Sequence, residues 1–359
     1  MSSLQRPGDP AGTSPTVLGA LPTPDAQAVL EPGVPVDVRL TLGVLQRGHA
    51  DPAVQSRPDG VWLCHRQPDP DDPTAPALPV TVLVRPAPSP LVPGPVHVMA
   101  WGPGADAAIR SAPALLGLPD DGWPAFDDLL TSQRHGSAGW SRALPSSVVR
   151  VRRTHPGLRL PATGRLVDQL FTVVLEQKVT HDQARAGWRW LVRTFGEPAP
   201  DPAPAGMLMA PRAEAVRLIP SWQWHAGWVQ PGQSRAMVQV AARARTLDRL
   251  GRAAGSHRVD AAAELGRVLQ AVPGIGAWTV AEALQRTHGS ADLVAVGDYH
   301  LAHHVGEALT GRRTDDAGML ALLRPWVGHR QRVVRLIGLS GFRPARFGPR
   351  LTPADHRGR

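Results

Sequence analysis

The 359 residues include one cysteine, one lysine and one tyrosine. A lone Cys64 cannot build an internal disulfide framework, a four-cysteine zinc site or an iron–sulfur cluster. No apolar run reaches the roughly 18 residues that a membrane span needs. The N-terminus lacks a charged-then-apolar targeting segment. These absences predict a cytoplasmic protein with no membrane partner, no cofactor and no metal. Lys178 is the single lysine, and arginine supplies the other 38 basic residues. With abundant Ala, Gly and Pro, that skew is the mark of a GC-rich genome rather than of a need for guanidinium.

The charge is unevenly placed. Residues 1–150 carry 10 Arg against 14 Asp and Glu, a net of −4, whereas residues 151–359 reach +13. The second half is therefore expected to face a polyanion.

Composition divides the chain into a disordered lead-in over 1–33, an α+β domain over 34–150, a helical domain over 151–342 and a basic tail over 343–359. In the first domain, β-type runs at Val36–Leu45, Val61–His65, Val80–Val84 and Val96–Trp101 flank an Asp/Pro-rich loop at Pro68–Pro79. A helix at Ala105–Leu116 follows. Beyond Arg150, Leu166, Leu170, Val173 and Val174 share one helix face. Thr180 and Gln183 form a capping box for a second helix that stops at Gly196 and Pro198. A short helix near Pro220 precedes Trp222, Trp224 and Trp228. Further helices are predicted over Ser234–Ala253, Asp260–Ala271, Ala277–His288, Tyr299–Leu309, Thr314–Leu323 and His329–Leu339, about nine in all, folded as two lobes. The fold class is α+β, mostly helical.

The sharpest local signal is Val272-Pro273-Gly274-Ile275-Gly276-Ala277-Trp278, between two amphipathic helices. Gly274 and Gly276 can adopt positive φ and let backbone approach a ligand. Ile275 can anchor the turn in the core. The turn ends at a helix start, where free N–H groups and the dipole suit a phosphate oxygen. The alternative is a plain helix connection whose glycines only make the turn.

This hairpin, its helix and Val296-Gly297-Asp298-Tyr299-His300 together resemble the helix-hairpin-helix DNA glycosylase superfamily, most nearly the 3-methyladenine DNA glycosylase II type. Leu175-Glu176-Gln177-Lys178-Val179 is similar to the helix–turn upstream of the family's hairpin, and the likeness spans roughly residues 155–340. It implies a bilobal helical domain behind a small sheet-containing domain. The implied activity is base excision repair: hydrolysis of the N-glycosidic bond of damaged, alkylated purines in double-stranded DNA. It would be the work of a nucleoid-associated monomer.

The resemblance also implies roles. Asp298 would be catalytic, stabilising positive charge on the sugar and orienting water; its other reading is a helix N-cap, and the two are compatible. Gly274, Ile275 and Gly276 would hold DNA phosphates. Lys178 would wedge into the gap left by a flipped nucleotide, or else is a solvated charge. Bifunctional relatives carry a Schiff-base lysine where Trp278 stands, so the implied enzyme is monofunctional. Trp278 itself is either core packing or an aromatic wall for the base.

Two positions depart from the alkylpurine relatives. Glu282 replaces a tyrosine one turn beyond Trp278, and Arg335 falls where a pocket tryptophan is expected. The pair would make a polar base pocket or a lobe-bridging ion pair. Trp222, Trp224 and Trp228 are candidate replacement aromatics, with core burial as the other reading. His300, His303 and His304 have helical spacing but no completing carboxylate or cysteine, so they are read as surface residues near phosphate, not as a metal site. Two competing functions remain: a non-catalytic helix-hairpin-helix DNA-binding protein with an altered pocket, and an 8-oxoguanine-type bifunctional enzyme.

Overall fold

The computed structural model describes residues 21–72, 74–134 and 144–343. Five strands, β1 (Ala26–Leu30), β2 (Val54–Arg57), β3 (Gly60–Gln67), β4 (Leu78–Arg85) and β5 (Val96–Trp101), pair antiparallel in the order β1-β5-β4-β3-β2. Alternation divides the central strands between two faces. Val61, Leu63, Val80, Val82, Val84 and Val98 enter the main core beneath α2 (Ala105–Leu115). Trp62, Cys64, Leu83 and Trp101 form a second cluster with Met207 and Met209, beside a two-residue hairpin of β6 (Glu197–Pro198) and β7 (Leu208–Met209). Both faces are covered, so β3 is buried along its whole length.

Residues 36–45 are not a strand. They form the short helix α1 (Val38–Leu42) and a 3₁₀ turn, Gly43–Leu45. Val36, Val38, Leu40 and Leu42 alternate as a strand would, and a run this short fits either period. The local decision falls to Asp37, whose carboxylate accepts the Leu40 N–H at 2.9 Å and caps the helix. The disordered lead-in is also corrected in part, because residues 26–30 are strand β1, paired with β5 from Ala26↔Ala100 to Leu30↔Val96. Residues 1–20 of that lead-in, and the basic tail beyond residue 343, lie outside the described residues.

The helices α3 (Gly122–Arg134), α4 (Ser146–Thr154), α5 (Leu166–Val174), α6 (His181–Phe195), α7 (Ala213–Leu218), α8 (Ser221–Ala226), α9 (Pro231–Ala242), α10 (Ala244–Ala254), α11 (Val259–Leu269), α12 (Ala277–Thr287), α13 (Leu301–Thr310), α14 (Asp316–Leu323) and α15 (Arg330–Leu339) form two lobes. The first lobe shares one core between the sheet and α5 to α12. At its centre α5 buries every residue except Asp168, so it is enclosed all round rather than on one stripe. The second lobe gathers α3 and α4 with α13, α14 and α15 around Trp326 and Phe126. Helices on both sides of the first lobe in sequence therefore close the second.

Thr180 and Gln183 do form the capping box of α6. The helix expected over Ser234–Ala253 is two. It starts earlier, at Pro231, and breaks at Arg243, whose φ of −110° and ψ of 7° leave the helical region. Among the described residues, no helix is long and apolar enough to cross a membrane.

Candidate active site and nucleic-acid interface

The turn between α11 and α12 is held from inside. Ile275 is buried, and its N–H donates to the Val272 carbonyl at 3.0 Å. The two glycines do different work. Gly274 has φ +89°, and a Cβ there would lie 2.6 Å from the Ala236 Cβ on α9. Gly276 has φ −99° and ψ 179°, extended backbone, so the expectation that it uses positive φ is corrected. A Cβ on Gly276 would meet nothing within 4 Å. Gly276 is the N-cap of α12, and no side chain caps that end. The helix start thus presents open space and uncompensated N–H dipoles, the requirement for an approaching anion.

A second turn lies against the first. Lys178, after α5, is exposed and has φ +54°, a left-handed conformation uncommon for a residue with a side chain. Two glutamines fix it. Gln177 Nε2 donates to the Gly274 carbonyl at 2.9 Å and to Thr279 Oγ1 at 2.8 Å. Gln233, on α9, donates to the carbonyls of Leu175 at 2.8 Å and Gln177 at 3.1 Å. Lys178, Gly274 and Gly276 therefore share one hydrogen-bonded edge of the first lobe. Neither glutamine was singled out from sequence, although Gln177 sits beside Lys178 in the upstream turn.

Asp298 lies between Gly297, at φ +87°, and the first turn of α13. Its Oδ1 accepts the N–H groups of His300 and Leu301, both at 2.8 Å, so the cap is real. Its Oδ2 accepts the Trp278 indole N–H at 3.0 Å. Trp278 is half-buried and belongs neither wholly to the core nor wholly to a free wall: it spans the lobes and holds the carboxylate.

One turn along the same face of α12 the surroundings become ionic. Glu282 pairs with Arg286 on its own helix at 2.7 Å, and Arg286 Nε donates to the Val44 carbonyl at 3.0 Å. Arg47 pairs with Glu176 at 3.2 Å and also reaches the Val44 carbonyl. Arg335, on α15, makes one hydrogen bond among the described residues, to the Leu40 carbonyl at 3.4 Å. A Glu282–Arg335 ion pair is not formed, because Arg286, four residues along the helix, takes the carboxylate instead. Burial, and then repulsion from Arg286, bring the Arg335 guanidinium down to about 10, with Glu282 opposing. It stays cationic at neutral pH.

The other candidates lie elsewhere. Trp224 is core, its indole donating to the Ile219 carbonyl and its ring 5.7 Å from Trp190. Trp222 is 67% exposed. His303 hydrogen-bonds the Thr314 carbonyl and His304 tilts against Phe342.

No family model matches the sequence. No curated protein matches it either. Solved structures do match in shape. A 3-methyladenine DNA-glycosylase from Archaeoglobus fulgidus superposes with a TM-score of 0.64 at 14% identity, over 88% of this chain and 99% of that one. MBOgg1 in complex with a low-affinity DNA ligand gives 0.63 at 11% identity, over 90% and 97%. The Clostridium acetobutylicum 8-oxoguanine glycosylase/lyase gives 0.54 at 8% identity, over 80% and 99%. The likeness is one of fold: the sheet and the two helical lobes are arranged as in these solved DNA glycosylase structures.

Proposed function

We propose that this chain is a monofunctional DNA glycosylase of base excision repair, acting as a monomer on damaged bases in duplex DNA at the nucleoid. One observation carries this most directly. The position at which a Schiff-base lysine would start α12 holds Trp278, and its indole is bonded to the Asp298 carboxylate. That pair suits hydrolysis and puts no amine at that position to attack the sugar. The hairpin and the Lys178 turn hold the duplex by its backbone. A damaged nucleotide swings out towards Trp278. As its glycosidic bond stretches, positive charge builds on the sugar, and Asp298 stabilises it while water attacks C1′. The net of +13 beyond residue 150 supplies the attraction to DNA.

Alkylated purines are the substrate that the likeness to the 3-methyladenine type implies, and they suit a site without a strong acid because they leave as neutral bases. A second reading, DNA binding without excision, is favoured by Asp298 having both carboxylate oxygens already hydrogen-bonded.

Duplexes carrying alkylated, deaminated and oxidised bases separate these readings when assayed for abasic-site formation with borohydride present. Abasic sites without a trapped covalent adduct are expected. No release from any lesion selects the binding protein. A trapped adduct rejects the monofunctional assignment, and its loss in Lys178→Ala would name Lys178 as the nucleophile.

A further inference from the structure

Glu282 and Arg335 stand where the alkylpurine relatives keep aromatic rings, and the structure gives them unequal partners. Glu282 is one turn inward from Trp278 on the same face of α12, so a base entering beside Asp298 and Trp278 meets it next. Its Oε2 is taken by Arg286, while Oε1 accepts no hydrogen bond from the described residues. Arg47 is committed to Glu176 and Arg286 to Glu282. Arg335 makes no ion pair among the described residues and spends one N–H on a 3.4 Å contact to Leu40. Arg335 is half-buried rather than sealed in the interior.

Resting on the glycosylase reading above, we propose that Arg335 and Glu282 select a neutral base with a lactam edge, a carbonyl beside a ring N–H, rather than a cationic alkylated purine. Arg335 donates to the carbonyl and Glu282 Oε1 accepts the ring N–H. A guanidinium without a carboxylate of its own repels a cationic base and welcomes a carbonyl oxygen. The chemistry is consistent with that choice. A neutral base carries no charge to pull electrons, so its glycosidic bond is the harder one to break. The C1′–N bond cleaves, its electron pair leaves with the base and spreads onto the carbonyl oxygen, and the Arg335 N–H groups stabilise that oxygen. Water gives hydroxide to C1′ and its proton ends on the departed base. Guanine and thymine share the lactam edge, so intact bases are spared at extrusion, where a stable pair costs most to open.

Single-turnover release from duplexes containing hypoxanthine, uracil, 3-methyladenine or 7-methylguanine tests this. The expected result is faster release of hypoxanthine and uracil. Arg335→Met should lower their release by about tenfold to a hundredfold, the scale of one hydrogen bond to a charged group. It should leave the two cationic bases unchanged or faster. Arg335→Lys keeps the charge and most of the volume, and should fall between on the neutral bases. Binding to a duplex with a tetrahydrofuran abasic analogue reports whether each variant is folded. Should Arg335→Met fail to bind it, Arg335→Lys decides alone. Release of alkylated bases only, or an equal loss on both classes, overturns the lactam assignment while leaving the glycosylase in place. Release of none of the four overturns the lactam assignment, and the glycosylase reading falls with it only when the oxidised bases of the wider panel are retained as well.

Discussion

The hairpin and the ionic wall begin at the same helix, α12, and are made by opposite means. The hairpin presents backbone: an uncapped helix start, Gly276 with open space at its Cβ position, and Ile275 as an internal anchor. Within a few residues of sequence it is complete, apart from Gln177 and Gln233 bracing it from behind. The wall presents side chains, and its arginines and glutamates come from four separate segments. A surface made of backbone grips any duplex, since phosphates are the same everywhere. A surface made of side chains tells one base from another. On the proposed function, holding and choosing are thus separable, and substitutions can pull them apart.

The largest effect is expected at the residue that does neither. Asp298→Asn removes the negative charge that the proposed function sets against the sugar, and should cut base release by about two to three orders of magnitude. Its stability cost follows from the hydrogen bonds. Asp298 accepts two backbone N–H groups on one oxygen and the Trp278 indole on the other. Asparagine has one oxygen, so it caps α13 and turns its NH₂ towards the indole N–H, or the reverse. Two donors then oppose each other, at a cost of about 1–2 kcal/mol. Adding Trp278→Phe removes the opposed donor and should restore most of the melting temperature without restoring release. Near-normal release from a stable Asp298→Asn variant would leave Asp298 as a cap alone.

The two glycines break the comparison inside the hairpin itself. Gly274→Ala puts a Cβ at φ +89° and 2.6 Å from Ala236. It should lower stability by about 1–3 kcal/mol in chemical denaturation. Gly276→Val meets no neighbour and keeps an allowed backbone, so the fold should stand. Its methyl groups would occupy the open space that the proposed function gives to a phosphate. Affinity for damaged and undamaged duplex alike should fall by about tenfold, read by fluorescence anisotropy at fixed salt. Full affinity in a folded Gly276→Val protein would take the hairpin out of the interface.

What the sequence disclosed follows the same division. The hairpin, the Thr180–Gln183 box and strand β5 are local patterns, and each was legible as it stands. Asp298 was legible in both its proposed roles because capping and charge are properties of one residue and its immediate successors. The wall was not. Glu282 and Arg335 were marked as departures, but that Arg286 takes Glu282 and leaves Arg335 without a carboxylate depends on Val44 and Leu40, far away in the chain. Residues 36–45 misled for the opposite reason: a short alternating run satisfies two periods, and one capping carboxylate decided between them. Likewise, no periodicity announces that α3 and α4 close a lobe with α13 to α15.

The smallest effect is expected at Lys178, and it asks to which side of the comparison this residue belongs. Its backbone is held at φ +54° by the same glutamines that brace the hairpin, and its side chain has no hydrogen bond or ion pair among the described residues. Lys178→Ala keeps a Cβ, so it keeps the left-handed strain and removes only the four-carbon stem and the ammonium. If the stem fills the stack vacated by the flipped nucleotide, it matters most where extrusion is costly. Release of a lesion from a stable pair should then fall by up to about tenfold, and release of the same lesion from a mismatch should barely change, because the mismatch has already met part of the unstacking cost. Binding to undamaged duplex should weaken little. If the ammonium merely touches a phosphate, every duplex loses the same increment, and the dependence of affinity on salt becomes shallower by about one charge. The ratio of the two release rates therefore assigns Lys178: a widened gap between paired and mismatched lesions makes it a wedge, and an equal loss on both makes it part of the grip.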